Sequence, residues 1–160
     1  MKYNSLILTL GILLISLSGC KQDCSDPNIN VSETQLAEDI AAIDAYLAEE
    51  GIDAEVHPSG IRYVIKREGD GDRPDACAQV FVTYEGRLIS NGNVFDGRTS
   101  PTALDLDTVI PGWRIGIPLI KDGGRISLYI PSVLAYGSSG TVGVPEDANL
   151  YFEVLIFDVR

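Results

Sequence analysis

The chain predicts an α+β fold, an antiparallel sheet with a helix laid on one face. Three observations point to it. From Gly60 onward, apolar residues recur at every second position in several short stretches. Turns rich in Gly, Asp, Asn and Pro separate those stretches, the kind of connection that joins neighbouring antiparallel strands. One apolar stretch in the middle, "TVIPGWRIGIPLI" over residues 108–120, leaves the two-residue period and opens on Pro111 and Gly112. Proline suits the first turn of a helix, so this stretch reads as a brief helix placed against the strands.

The 160 residues give room for one ordinary domain with accessories. Acidic residues number 23 against 12 basic, a net charge of -11, and no Lys/Arg cluster exists. Phosphate binding needs cations that displace counterions, so a nucleic-acid partner is excluded; the acidity serves solubility.

Residues 1–19 read as an export signal outside the fold. Lys2 is followed by apolar "LILTLGILLISL" and then "LSGC", too short and too weakly flanked for a spanning helix. Leu17-Ser18-Gly19-Cys20 resembles the bacterial lipobox, which implies cleavage before Cys20 and attachment of diacylglycerol to its thiol. Two or more acyl chains would hold the chain at a membrane stably. The plainer alternative is an ordinary cleaved signal with an incidental cysteine. Lys21 is not the aspartate associated with inner-membrane retention, which favours the outer membrane without naming a face. Cys24 and Cys77 remain, and in an oxidising envelope compartment such an isolated pair reads as a disulfide, with two free thiols as the alternative.

Residues 20–31 form a polar tether, followed by an acidic amphipathic helix over residues 32–51. Ser32 and Gln35 have capping-box spacing, Leu36, Ile40, Ile43 and Leu47 make a one-sided stripe, and Gly51 reads as the stop. Glu and Asp are expected on the opposite face. The stripe is too short for a confident coiled coil, so a helix laid on its own domain, or a spacer, is preferred over a dimerisation helix. Next, "IRYVIKREG" alternates Ile61, Tyr63 and Ile65 with Arg62 and Lys66, and "CAQVFVTYEGRLI" sets Val80, Val82 and Tyr84 against Phe81 and Thr83. "SNGNVFDGRTSP" reads as a loop or hairpin connection and "TALDLDTVI" as a short strand. Within the helix Pro118 removes an amide hydrogen bond, so a kink or a tight last turn is expected. "RISLYIP" is another strand, "YGSSGTVGVPEDA" a long loop, and "NLYFEVLIFDV" the final strand.

Much chemistry lacks its reagents. Gly69-Asp70-Gly71 begins like a dinucleotide loop, but Pro74 stands where the third glycine belongs. "DGDRPD" lacks the alternating ligands of a calcium loop, and "GSSG" is no nucleophile elbow. The single histidine, His57, falls in a turn-like stretch and reads as an exposed loop residue, which leaves no metal site and no Ser-His-Asp set. No cofactor is expected.

The distinctive residues that remain lie in "VTYEGRL", "VFDGR", "VIPGW", "LAYGSSG" and "ANLYFEV". In this order and spacing they resemble the FKBP-type peptidyl-prolyl cis/trans isomerases over roughly the last hundred residues, with the domain bounded at 58–160. The resemblance implies an FKBP-like curved antiparallel β-sheet wrapped around a short α-helix, with an apolar pocket between them. It implies that Trp113 forms the pocket floor and that Val109 and Ile110 contact the ligand's proline region. Tyr84, Phe95 and Phe152 would be aromatic walls, Tyr136 the phenol reaching a substrate carbonyl, and Asp96 the pocket carboxylate. The plainer reading of Trp113 is core packing. Thr102 stands where the family often has an aromatic, the loop over residues 138–147 is shortened, and Val144 is its expected apolar contact. Thr102 and Val144 complete the expected substrate-binding set. The implied function is isomerisation of X-Pro bonds in unfolded or partly folded exported or envelope proteins, with macrolides as possible inhibitors. A proline-binding chaperone or adaptor with little turnover is the alternative.

Overall fold

The computed structural model describes residues 31–160; the apolar leader, Cys20 and Cys24 lie outside them. Six strands form one antiparallel sheet: β1 (Glu55–Val56), β2 (Arg62–Arg67), β3 (Gln79–Leu88), β4 (Val94–Asp105), β5 (Arg125–Ile130) and β6 (Leu150–Val159). Their order across the sheet is β1-β2-β5-β6-β3-β4. The period-two patterning emerges as expected in β3, where Val80 and Val82 are sealed in the core while Phe81 and Thr83 stay partly exposed.

One face of the sheet carries α2 (Pro111–Gly116). The main core, including Ile126, Leu128, Ile130 and Val154, lies on this side. Pro111 occupies the first turn, and the Ile110 carbonyl accepts from the amides of Trp113 at 3.0 Å and Arg114 at 3.3 Å. Pro118 cannot continue the helical ladder, so the chain tightens into a 3₁₀ turn over Ile117–Leu119. Two glycines let the helix approach β5 closely. A Cβ on Gly112 would stand 2.4 Å from Ile130 Cγ2, and one on Gly116 would stand 2.7 Å from Leu128 Cδ2.

The opposite face carries α1 (Glu33–Glu49). Ser32 Oγ accepts from the Gln35 amide at 3.3 Å, and Gly51, at φ +64°, follows the C-terminus. Ile43 and Leu47 pack on Tyr129 of β5, so this central strand is buried on both sides. The helix is therefore laid on its own domain. One expectation fails here: the acidic residues do not all face away, because Asp39 is buried against the sheet side at 2% exposure. Three positions after Leu36 and four before Ile43, it belongs to the apolar stripe by geometry. Arg62 is likewise buried, its guanidinium gripping Asp44 of α1 at 2.8 and 2.9 Å.

A second difference concerns residues 90–101, expected as a loop or hairpin connection: the hairpin is there, but most of the stretch is strand. The connection is only a tight hairpin after Leu88, and β4 runs unbroken from Val94 to Asp105. Its register slips between the pairs Val82–Thr102 and Tyr84–Arg98, leaving residues 99–101 opposite Thr83 alone. Pro101, which has no N–H to give a ladder, falls inside that bulge. His57 is half-buried rather than exposed, with the Ser59 amide donating to its Nδ1 at 3.2 Å across a turn. Cys77 is disulfide-bonded, and Cys24, expected as its partner, lies outside the described residues.

Candidate active site

Trp113 is the third residue of α2, and it is 3% exposed. Two ring edges meet it almost at right angles: Tyr84 of β3 at 5.0 Å and Phe152 of β6 at 5.3 Å between centroids. Such T-shaped pairs set the positive edge of one ring on the negative face of another. Phe95 of β4 then packs edge-on to Phe152 at 5.5 Å. Gly86 makes this cluster possible, because a Cβ there would stand 2.6 Å from Phe152 Cε1 and 2.9 Å from Phe95 Cζ.

Above the indole lies a cavity of about 230 Å³. Tyr84, Trp113 and Phe152 supply its aromatic surface, and Val109, Ile110 and Leu104 its aliphatic surface. Asp96, Thr108 and Tyr136 bring the polar atoms. A larger hollow of about 430 Å³ on the sheet, between Thr83, Arg98, Arg125 and Glu153, has no such floor and is rimmed by charges.

The polar groups are held unequally. Asp96 Oδ2 accepts from the Tyr84 hydroxyl at 2.7 Å, and its Oδ1 accepts from the Gly97 amide at 2.8 Å and Arg98 Nη1 at 3.1 Å. Burial, and next the hydrogen bond to Asp96, push the Tyr84 phenol up to about 12, so it stays a donor. Burial, and then the charge of Asp96, also raise Tyr136 above the ordinary phenol value. The Tyr136 hydroxyl has no hydrogen-bond partner among the described residues, nor does the buried indole Nε1 of Trp113. The cup thus offers an apolar floor, a fixed carboxylate and a free phenolic donor.

Seven expected residues line the cavity: Tyr84, Asp96, Val109, Ile110, Trp113, Tyr136 and Phe152. Phe95 instead supports Phe152 from behind. Thr102 does not line it; its hydroxyl turns to the Ser100 carbonyl at 3.1 Å. Val144 is packed into the core at 4% exposure, beside the bridge it forms with Thr141. Leu104 and Thr108 are lining residues that sequence reasoning missed. Leu104 of β4 pairs with Val80 of β3 beyond the register slip, so alternation along the sequence did not single it out.

Comparison with known proteins agrees with this geometry. The family described as FKBP-type peptidyl-prolyl cis-trans isomerase matches residues 71–157. The FKBP-type peptidyl-prolyl cis-trans isomerase FkpA of Buchnera aphidicola subsp. Baizongia pistaciae is 42% identical over 111 residues, which are 68% of this chain and 44% of that protein. FkpA of Escherichia coli K12 is 42% identical over 105 residues, 64% of this chain and 38% of that protein. The chain therefore spans less than half the length of these two relatives. The crystal structure of FkpA from Escherichia coli superposes with a TM-score of 0.69 at 36% identity, covering 80% of this chain and 62% of that one. A peptidyl-prolyl cis-trans isomerase from Pseudomonas syringae pv. tomato superposes with a TM-score of 0.69 at 30% identity, covering 84% of this chain and 99% of that one. A sheet wrapped on a short helix, an indole at the helix mouth and the matched span have one common meaning: the chain belongs to the FKBP-type peptidyl-prolyl cis-trans isomerase family.

Proposed function

We propose that this chain catalyses cis/trans isomerisation of X-Pro bonds in unfolded or partly folded exported or envelope proteins, using its own residues without a cofactor. The observation that carries the reading is the 230 Å³ cup floored by Trp113, with the unpartnered Tyr136 hydroxyl at its edge.

Rotation about a peptide bond must break amide resonance, a barrier of about 18–20 kcal/mol. X-Pro bonds populate both isomers and exchange over tens to hundreds of seconds, so a catalyst matters where exported chains fold. The planar amide is more charge-separated than the twisted one. Moving it from water into an aromatic cup destabilises the planar form relative to the transition state. Each 1.4 kcal/mol or so of differential binding gives about a tenfold gain in rate. Proline's ring would sit on the indole, between Tyr84 and Phe152, against Val109 and Ile110. Tyr136 would donate to one substrate carbonyl while the neighbouring amide turns. Asp96, fixed by Tyr84, would face the displaced carbonyl's dipole or orient the groups around it.

The same reading extends to place. Residues 1–19 would direct export, and a lipid on Cys20 would anchor the chain in the envelope, at the outer membrane. A Cys24–Cys77 bond would pin the tether to the domain. Macrolides that mimic a proline amide would compete for the cup.

Isomerisation of a short X-Pro peptide tests the chemistry. Tyr136→Phe and Asp96→Ala should each lower kcat/KM by about tenfold, about 1.4 kcal/mol of transition-state binding. Unchanged turnover in either variant removes that residue from the mechanism. Mass analysis of the membrane-extracted chain tests the anchor: an unmodified Cys20 would refute it.

A further inference from the structure

We propose that Asp39 of α1 is a positioning residue for Tyr136, acting through the turn that carries it; this rests on the reading of Tyr136 as the group that holds a substrate carbonyl. Asp39 is the buried carboxylate of the described residues, at 2% exposure. A charge in such a place is costly unless hydrogen bonds replace its water. An apolar residue would continue the stripe of α1 at no such cost, so where the hydrogen bonds go is informative.

They go to the start of the turn leading to the cup. Asp39 Oδ2 accepts from Ser132 Oγ at 2.7 Å and from the Val133 amide at 3.3 Å. Its Oδ1 accepts from Gln35 Nε2 at 3.0 Å, which holds the carboxylate in orientation. Asn149 completes the arrangement: its Oδ1 accepts from the Ser132 amide at 3.0 Å, and its Nδ2 donates to the Asp39 carbonyl at 3.4 Å. The first two amides of the 3₁₀ turn Ser132–Leu134 are thus capped from outside the turn.

Tyr136 lies between two tied stretches: after it, the Gly137 carbonyl accepts from the Asp147 amide at 3.0 Å and from the Gly140 amide at 3.3 Å. The Ala135 amide donates to the Ser132 carbonyl at 2.9 Å, then Ala135 adopts φ -122°, ψ -109°, and Gly137 follows Tyr136 at φ +54°. Because the Tyr136 hydroxyl has no partner among the described residues, the ring is placed by packing and by this backbone. Val133, capped by Asp39, lies three residues before it. A helix outside the family-matched span 71–157 thereby reaches into the active-site geometry.

A plain docking role for Asp39 would lower stability alone. The experiment separates the two roles with a double-mutant cycle on the full chain, using Asp39→Asn, Tyr136→Phe and the double variant, with X-Pro peptide turnover and urea midpoints measured on each. Asp39→Asn should lower kcat about fivefold with KM changed less than about twofold, and the loss should shrink below about twofold in the Tyr136→Phe background. The stability loss should be equal in both backgrounds. Asp44→Ala, which breaks another tie between α1 and the sheet, should lower stability with kcat kept. Should Asp39→Asn fail to fold, Ser132→Ala removes the same bond and is read the same way. An equal fold-loss of kcat in both backgrounds, or none in either, overturns the positioning role. If Tyr136→Phe itself turns over like wild type, the fault lies in the carbonyl-holding reading, and this inference falls with it.

Discussion

The Tyr84 hydroxyl donates a hydrogen bond to Asp96 Oδ2 across 2.7 Å, joining β3 to β4 at the wall of the cup. The bond does two things at once. It occupies a phenol that would otherwise be buried with an unpaired O–H, and it fixes a carboxylate beside the floor.

Tyr84→Phe should therefore cost about 1 kcal/mol of stability and lower kcat/KM severalfold, because Asp96 keeps only its Gly97 and Arg98 partners. Urea denaturation and peptide turnover check it. A variant as stable and as active as wild type would show that the bond is incidental.

Alkaline pH offers a second check. Tyr84 and Tyr129 are both raised to about 12 by burial first, then by Asp96 and by neighbouring tyrosines respectively. Below pH 10 both phenols keep their protons, folded or unfolded. Between about pH 10 and 12 the unfolded chain sheds them while the folded chain holds them, so stability should fall as pH rises. Tyr129→Phe should shrink that fall when urea midpoints at pH 9 and 11 are compared; an identical fall would contradict it. Tyr136, also raised, should remain a donor, so kcat/KM should not decline through phenol ionisation between about pH 7 and 9.

Gly112→Ala tests the seat of the indole. Alanine favours a helix, yet its methyl would press within 2.4 Å of Ile130 Cγ2. The clash should win, costing about 1–3 kcal/mol, and should shift Trp113 fluorescence as α2 lifts from β5. Stabilisation would mean that the helix has slack.

Breaking the tie at Asp44 should matter because Arg62 is nearly sealed, with its side chain 10% exposed. Asp44→Ala leaves the guanidinium only the Gly60 carbonyl at 2.9 Å. A loss of about 1.5–3 kcal/mol in a denaturation midpoint is expected. No change would mean that water replaces the carboxylate.

Where patterns are local, the chain disclosed its structure in advance. Val80 and Val82 announce one buried strand face, Pro111-Gly112 announces the helix mouth, and Pro118 announces the tightened turn. Seven of the nine residues lining the cup were legible only through a motif order, since Trp113, Tyr136 and Phe152 stand far apart in the chain. What stayed hidden depends on partners. Asp39 looks like surface acid until Ser132 and Val133, more than ninety residues later, arrive as its donors. Arg62 looks solvent-facing until α1 covers the second sheet face. Pro101 looks like a loop marker because a bulge can absorb its missing N–H only once Thr83 lies opposite. Leu104 is hidden for a related reason, since the bulge decides where β4 meets the cup.

The most direct test of the central claim is the isomerisation rate of an X-Pro peptide with wild type and with Trp113→Leu, at matched fold by circular dichroism. If an apolar cup with an indole floor favours the half-turned amide, wild type accelerates exchange and Trp113→Leu loses about tenfold or more in kcat/KM, at least about 1.4 kcal/mol. Equal acceleration by both, or none by wild type, would contradict the account.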